Sequence, residues 1–294
     1  MTIEQHTEAI HKATTLVREL TSANLEGWSP QGEKNGTKVY TKEDGKLIRG
    51  DYVLKTSSFT YEQCAAVATS TIVRPMWDPS FDKAEQRRVI GADEGLYWVK
   101  CKAPWPITPR DFCVYAKVDH FKDENCILVT MTSVKDDQAV PPVQGCVRGT
   151  LHIAGWYIRK DPQGIAITYV NKSEFGGSFP ASLMKLMASH IPQTIVRVAE
   201  FLTNYGFPPL HHSACITKES FDQKKMAYEA TIKTDKPKDV VWYLAKQMYP
   251  KGVAIKTSPA ALQDKVQVQT SENGHHRVTL LQVHQPVTIT MKKK

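Results

Sequence analysis

The strongest constraint on how this chain folds is a single change of hydrophobic period near residue 178. Before it, six runs with strand-like alternation follow one another at 85–91, 95–102, 111–119, 126–134, 146–158 and 164–171. The segments between them, GADEG, PWPITP, KDEN, DDQAVPPVQG and DPQG, carry turn chemistry. Short strands at this spacing predict an antiparallel sheet. After the change, SFPASLMKLMASHIPQTIVRVAEFL places Leu183, Met187, Ile191, Ile195, Val198 and Leu202 on one face of a long helix. Ser178 suits its N-cap and Pro180 its first turn. Pro192 falls mid-helix, where it removes a hydrogen bond and kinks the axis. A greasy helix that follows a curved sheet closes over one of its faces, and the concave side can be left as a cavity. The expected fold class is α+β.

The rest of the chain frames this unit. Residues 3–24 fit an amphipathic helix, with Ile10, Ala13, Val17 and Leu20 on one side. TKVYTKEDGKLIRGDYVLKT alternates about EDG as a hairpin, and 60–72 read as a short apolar helix. FPPLHHSA then reads as a linker. Beyond it, KMAYEATIKT reads as a strand, KPKDVVWYLAKQM as a helix, and KVQVQT and HRVTLLQVHQPVTITM as strands. The expected organisation is a domain over 1–207 and a small α+β unit of unassigned type over 213–294.

Charge separates the two parts. Residues 213–294 hold 14 Lys/Arg against 7 Asp/Glu, whereas residues 1–212 hold 24 against 23. The basic end points to an anionic partner surface, a membrane leaflet or nucleic acid. No stretch reaches the roughly 18 to 20 apolar residues that a membrane span requires. The N-terminus lacks the apolar core of a signal peptide. The six cysteines stand at 64, 101, 113, 126, 146 and 215 without a CxxC pair, so no zinc or redox motif is expected. Free thiols without a signal point to the cytoplasm.

No catalytic motif emerges from the sequence. There is no Walker loop, GxGxxG, HExxH or GxSxG. The adjacent pairs His211–His212 and His275–His276 cannot easily turn both rings to one metal from a strand. Asp136–Asp137 sit in a turn and are expected in solvent. The expectation is no enzyme, no metal and no cofactor. Arg74 is the anomaly, a cation where the apolar helix YEQCAAVATSTIV runs out, three residues before Trp77. Charged side chains are rarely buried unless paired. Arg74 is therefore either a surface residue or a cation that meets an anion.

An ordered set of landmarks resolves this. RPMWD (74–78) precedes LYWVKCKAPWPITPRDF (96–112), GCVRG (145–149), GWYI (155–158) and FGGSFPASL (175–183). In order and spacing these resemble a StAR-related lipid-transfer (START) domain over roughly residues 10–206, nearest to the phosphatidylcholine transfer protein branch. The resemblance implies a helix-grip, a curved sheet around a hydrophobic tunnel closed by the last helix. It implies that Arg74 meets the lipid phosphate. A headgroup cage would fall on Trp98, Phe112 and His152, with Tyr97 lining the cavity and Leu183, Met187, Ile191, Ile195 and Val198 forming the lid face. His152 stands where the branch has a tyrosine and Ala154 where it has a glutamine. Tyr97 and Ala116 stand where sterol carriers place an acid and an arginine, which disfavours sterol.

The implied function is carriage of one phosphatidylcholine-like phospholipid between membranes without chemistry. A diacyl lipid offers roughly 30 methylenes, so burying it releases about 25 kcal/mol gross at ~0.8 kcal/mol each, much of it offset by ordering. An arginine fork suits the phosphate that must be buried with the chains. Transient contact with an anionic membrane surface, and no nucleic acid, follow as partner expectations. Three alternatives stay open. The domain could be a lipid-sensing scaffold with a protein partner on 213–294, a sterol carrier, or an enzyme using His152 as acid or base.

Overall fold

The computed structural model describes residues 3–91, 93–177, 181–211, 213 and 215–294, and side chains within these except at 3–5 and 181–191. The chain forms two compact units. The first is Met1–Thr71 with Trp77–Ala199, and the second is Ile72–Met76 with Glu200–Lys294.

In the first unit, helix α1 (Ile3–Leu20) is followed by β1 (Ser29–Lys34), β2 (Thr37–Lys42) and β3 (Leu47–Lys55). Helix α2 (Tyr61–Thr69) starts at Thr60, which forms a capping box with Gln63. The short helix α3 spans Arg74–Trp77. Seven strands follow, β4 (Phe81–Gly91), β5 (Glu94–Cys101), β6 (Arg110–Phe121), β7 (Cys126–Ser133), β8 (Val147–Arg148), β9 (Thr150–Asp161) and β10 (Gly164–Glu174). They join the first three in a ten-stranded sheet of order β1-β2-β3-β10-β9-β7-β6-β5-β4, with β8 parallel to the start of β6. Helix α4 (Ala181–Tyr205) carries Pro192 in its interior.

Two glycines show which helix covers which face. A Cβ on Gly155 would lie 2.3 Å from Val17 of α1. A Cβ on Gly50 would lie 2.7 Å from Ile195 and 3.7 Å from the Cα of Pro192, both on α4. Gly50 pairs with Tyr169 and Tyr169 with Trp156, the neighbour of Gly155, so the two glycines look out of opposite faces. On the α1 face, Ala13, Val17, Leu20, Trp28, Leu47, Leu128, Ile153 and Val170 pack as one core. The hairpin, the strand runs, the apolar face of α1 and the described part of the α4 face, Ile195, Val198 and Leu202, stand where the periodicity puts them.

The second unit departs from expectation in several elements, since the strands Ile216–Asp222 and Val253–Ser258 and the 3-10 helix Ala260–Lys265 have no counterpart among those expected from the sequence. The predicted helix over 236–248 is a strand. The unit contains β11 (Ile216–Asp222), β12 (Ala227–Ile232), β13 (Lys238–Leu244), β14 (Val253–Ser258), a 3-10 helix at Ala260–Lys265, β15 (Val266–Thr270), β16 (His276–Val283) and β17 (Val287–Lys293). These make two antiparallel sheets, β11-β12-β17-β14 and β13-β16-β15. In KDVVWYL the alternate residues Val240, Trp242 and Leu244 are buried while Tyr243 is exposed, a period of two inside a short apolar run. Trp242 Nε1 donates to the Tyr228 hydroxyl at 3.3 Å and so ties the two sheets together.

Candidate functional site

The α4-side face of the large sheet collects the residues expected to meet a ligand. Strand pairing sets Tyr97 beside Val114, Val99 beside Phe112 and Ala116 beside Met131. The row continues from Met131 to Ala154 and from there to Asn171. Directly paired residues share a face, so these side chains line one surface. Ile195 and Val198 of α4 are fully buried. Leu183, Met187 and Ile191, with the expected cap at Ser178 and Pro180, lie outside the described residues.

The two faces are filled differently. On the α1 side Leu96, Cys113, Tyr115 and Leu128 are buried to within about 1%. On the α4 side of the same strands, Val99, Ala116, Val118 and Met131 keep part of their surface accessible. Apolar side chains in a close-packed interior lose that surface. The accessible row is bounded by aromatic groups. Phe112 meets Phe175 edge-on at 6.5 Å, and Trp156 lies over Tyr169 at 4.2 Å. Polar atoms are few, with Asn171 donating to the Tyr169 hydroxyl at 3.2 Å and accepting from Ser173 at 2.8 Å.

The expected cage is not assembled as drawn. Trp98 pairs with Cys113 and Phe112 with Val99, so the two rings point out of opposite faces. Trp98 sits in the α1-side core with Ile10, Leu96 and Tyr115. Its Nε1 donates to Asp111 at 2.9 Å, and Lys83 Nζ lies 4.8 Å from its ring centroid. The side chain is a structural anchor. Tyr97, one residue earlier, is the neighbour that turns toward α4, because alternation makes a one-residue displacement a change of face. His152 is exposed and lies 3.1 Å from Glu174. Trp156, Tyr169 and Asn171 were missed; the alternation in IAGWYI and AITYVN was the signal for them.

Arg110 and Asp111 do their work separately. Asp111 is almost wholly buried and holds Arg148 through two hydrogen bonds, 3.1 Å from Nε and 2.9 Å from Nη2. The pairing holds the Arg148 guanidinium in its charged form, against the opposing effect of burial. Arg148 reaches on to the carbonyls of Val140 and Pro141. Arg110 donates to the carbonyls of Thr108, Phe175 and Gly176 and so anchors the segment that leads into α4. Burial lowers its pKa. Asp136, expected in solvent, is 5% exposed. It accepts from Arg88 at 3.1 Å and from the Ala139 amide at 2.9 Å, which pins the 134–140 loop. Arg74 is half-buried on α3, within the residues that belong to the second unit.

A START-domain family model matches residues 8–205. The chain belongs to the START family. Among solved structures, human STARD10 is 18% identical, with 66% of this chain and 80% of that one covered at a TM-score of 0.58. Human StAR-related lipid transfer protein 5 is 22% identical over 67% of this chain and 92% of its own, at 0.55. The lipid transfer and protein localization domain of human StarD13 is 17% identical over 68% and 98%, at 0.51. These likenesses show the fold. No curated protein matches. The matched residues end at 205, the last of α4, and the seven strands β11 to β17 lie beyond them. Among the described residues no helix is long and apolar enough to cross a membrane, and no cluster of His, Cys, Asp or Glu could hold a metal ion.

Proposed function

We propose that the protein binds one phosphatidylcholine-like glycerophospholipid between the large sheet and α4, and carries it between membranes without covalent chemistry. The observation that carries this reading is the row Val99, Ala116, Val118 and Met131, apolar yet partly accessible on the α4-side face among the buried Phe112, Val114 and Val129, on a sheet whose other face is filled. Acyl chains complete such a surface at ~0.8 kcal/mol per methylene. The names of StAR-related lipid transfer protein 5 and of the StarD13 domain support transfer in relatives of the same fold. Within the headgroup set, Tyr97 and Phe112 stay on the ligand-facing side and Trp98 leaves it. The phosphate role of Arg74 and the lid role of Leu183, Met187, Ile191, Ile195 and Val198 are retained from the family resemblance. The moving element is α4. It is entered through Gly176 and Gly177, both at positive φ, where a side chain would strain the turn. The loop KDDQAVPPVQG (135–145), tied down at Asp136 by Arg88 and the Ala139 amide, is the lesser candidate for a gate.

The test fills the site. Ala116→Trp, placed in the accessible row, should abolish transfer of labelled phosphatidylcholine between vesicles while thermal stability is kept. Unchanged transfer would overturn the assignment of this face. Arg74→Ala should separately reduce phospholipid transfer at least tenfold with folding retained; no reduction removes Arg74 from the site. Native mass spectrometry of lipid that co-purifies with the chain decides between phosphatidylcholine, another phospholipid and a sterol.

A further inference from the structure

The second unit gathers basic side chains that are scattered in the sequence. Lys292 sits between Ala227 and Ala254 on the strands either side, and Lys293 is opposite Val253. The amide of Lys294 donates to the Gly252 carbonyl at 3.2 Å, and its side chain lies over Gly252, where a Cβ would be 3.6 Å from Cδ. Lys251 immediately precedes Gly252. Lys224 and Lys225 form the β11–β12 turn, two residues from Ala227, with both amides donating to Asp222 Oδ1 at 3.0 and 3.1 Å. Six lysines from three segments thus share one end of the four-stranded sheet, and all six are exposed. Asp222 is the carboxylate among them, 3.5 Å from Lys225 Nζ.

We propose that this lysine end of the second unit is a docking surface for an anionic lipid bilayer. The inference rests on the lipid-carrier reading for its choice of occupant. Strands β12, β17 and β14 are about 4.8 Å apart, so the backbone positions that carry these lysines at the sheet end lie within roughly 10 Å of one another across the strands. That is close to the screening length of about 8 Å in physiological salt, and their fields add rather than fade. Lysine presents a point charge on a mobile stem, suited to a plane of many headgroups, where a single bound phosphate favours the fork of arginine. All six side chains are exposed at the sheet end, which suits a plane of charge. Basic residues near an anionic leaflet each strengthen binding by about fivefold.

The experiment compares the full chain with K224A/K225A/K293A by sedimentation with vesicles of phosphatidylcholine alone or with about 30% phosphatidylserine. The triple variant should bind the anionic vesicles about a hundredfold more weakly and should carry phosphatidylcholine between neutral vesicles at the unaltered rate. A control of equal charge loss in the first unit, K34A/K46A/K122A, should bind the anionic vesicles as the parent does. The proposal is overturned if the patch variant and the control lose binding equally, if neither does, or if the parent prefers a single-stranded oligonucleotide to the vesicles. If charge-dependent docking is found but no phospholipid is ever transferred, the docking surface stands and the carrier reading fails.

Discussion

Removal of the Asp111 carboxylate tests the division of labour between the two sheet faces. Asp111 is 1% exposed and is shared by the Trp98 indole and the Arg148 guanidinium. Loss of one partner of a buried ion pair costs about 3–5 kcal/mol. Arg148 keeps the carbonyls of Val140 and Pro141 and is 28% exposed, so solvent screening reduces the ionic part to roughly 2–3 kcal/mol. The orphaned indole N–H adds about 1 kcal/mol. Asp111→Ala should therefore destabilise the first unit by about 3–4 kcal/mol, which for a unit of this size lowers Tm by about 10 °C. Replacing both partners, D111A/R148M, should recover more than half of the loss, because no charge is then left buried. Scanning calorimetry of the two variants reads the magnitude, and vesicle transfer measured per folded molecule reads function. A D111A shift below 2 °C, or a double variant no better than the single, refutes the reasoning. A change in lipid selectivity on Trp98→Phe would return that ring to the ligand.

Three further outcomes are expected. Asp136 is held below the ordinary carboxylate range; burial opposes this, but the Ala139 amide, Arg88 and His6 outweigh it. A depressed folded pKa contributes stability that is full above about pH 4, the unfolded value, and is lost as pH falls through the folded value; the Tm gap between the protein and Asp136→Asn should close between pH 5 and pH 2, and a gap independent of pH refutes the pairing. Burial pushes the Cys64 thiol up to about 12 and the Cys113 thiol up to about 11. With Cys126 also buried, a thiol reagent at pH 8 should modify Cys101, Cys146 and Cys215 first and the other three only on unfolding; six equal rates would contradict this. Gly155→Ala drives a methyl into Val17 at 2.3 Å and should cost about 1–3 kcal/mol by displacing α1, whereas an unchanged Tm by thermal melt would mean α1 is free to shift.

Much of this was legible because the sequence speaks in periods. Alternation located the strands of the sheet, and the change to a helical period located α4. The apolar stripe of α1 named Ile10, Ala13, Val17 and Leu20, all of them buried. Short apolar runs are ambiguous in period, and VVWYL went to the wrong element for that reason. Site residues were harder. Tyr97 and Trp98 are adjacent aromatics on one strand, and only the pairing with β6 decides which of them faces α4. Asp136 looked like turn chemistry because its partners are remote, Arg88 on β4 and His6 on α1. The basic excess of 213–294 was legible, but the lysine cluster was not, since its members lie at 224–225, 251 and 292–294 and meet only through strand register.

The asymmetry of the sheet has a physical consequence for evolution and design alike. Along β6, successive residues serve opposite masters. Asp111, Cys113 and Tyr115 belong to a filled core that holds α1, while Phe112, Val114 and Ala116 belong to the surface beneath α4. Substitutions at the first set change stability through cavities and orphaned charges. At the second, Phe112 and Val114 are themselves buried and Ala116 keeps accessible surface, so substitutions there change what can lie under α4 in addition to any cost in packing. Specificity can therefore drift on one face while the other keeps the fold. A panel of single substitutions along 111–116 should separate into two classes by residue parity, odd positions moving Tm alone and even positions moving lipid occupancy as well. A panel in which both readouts follow burial alone, without parity, would mean that the two faces are one core.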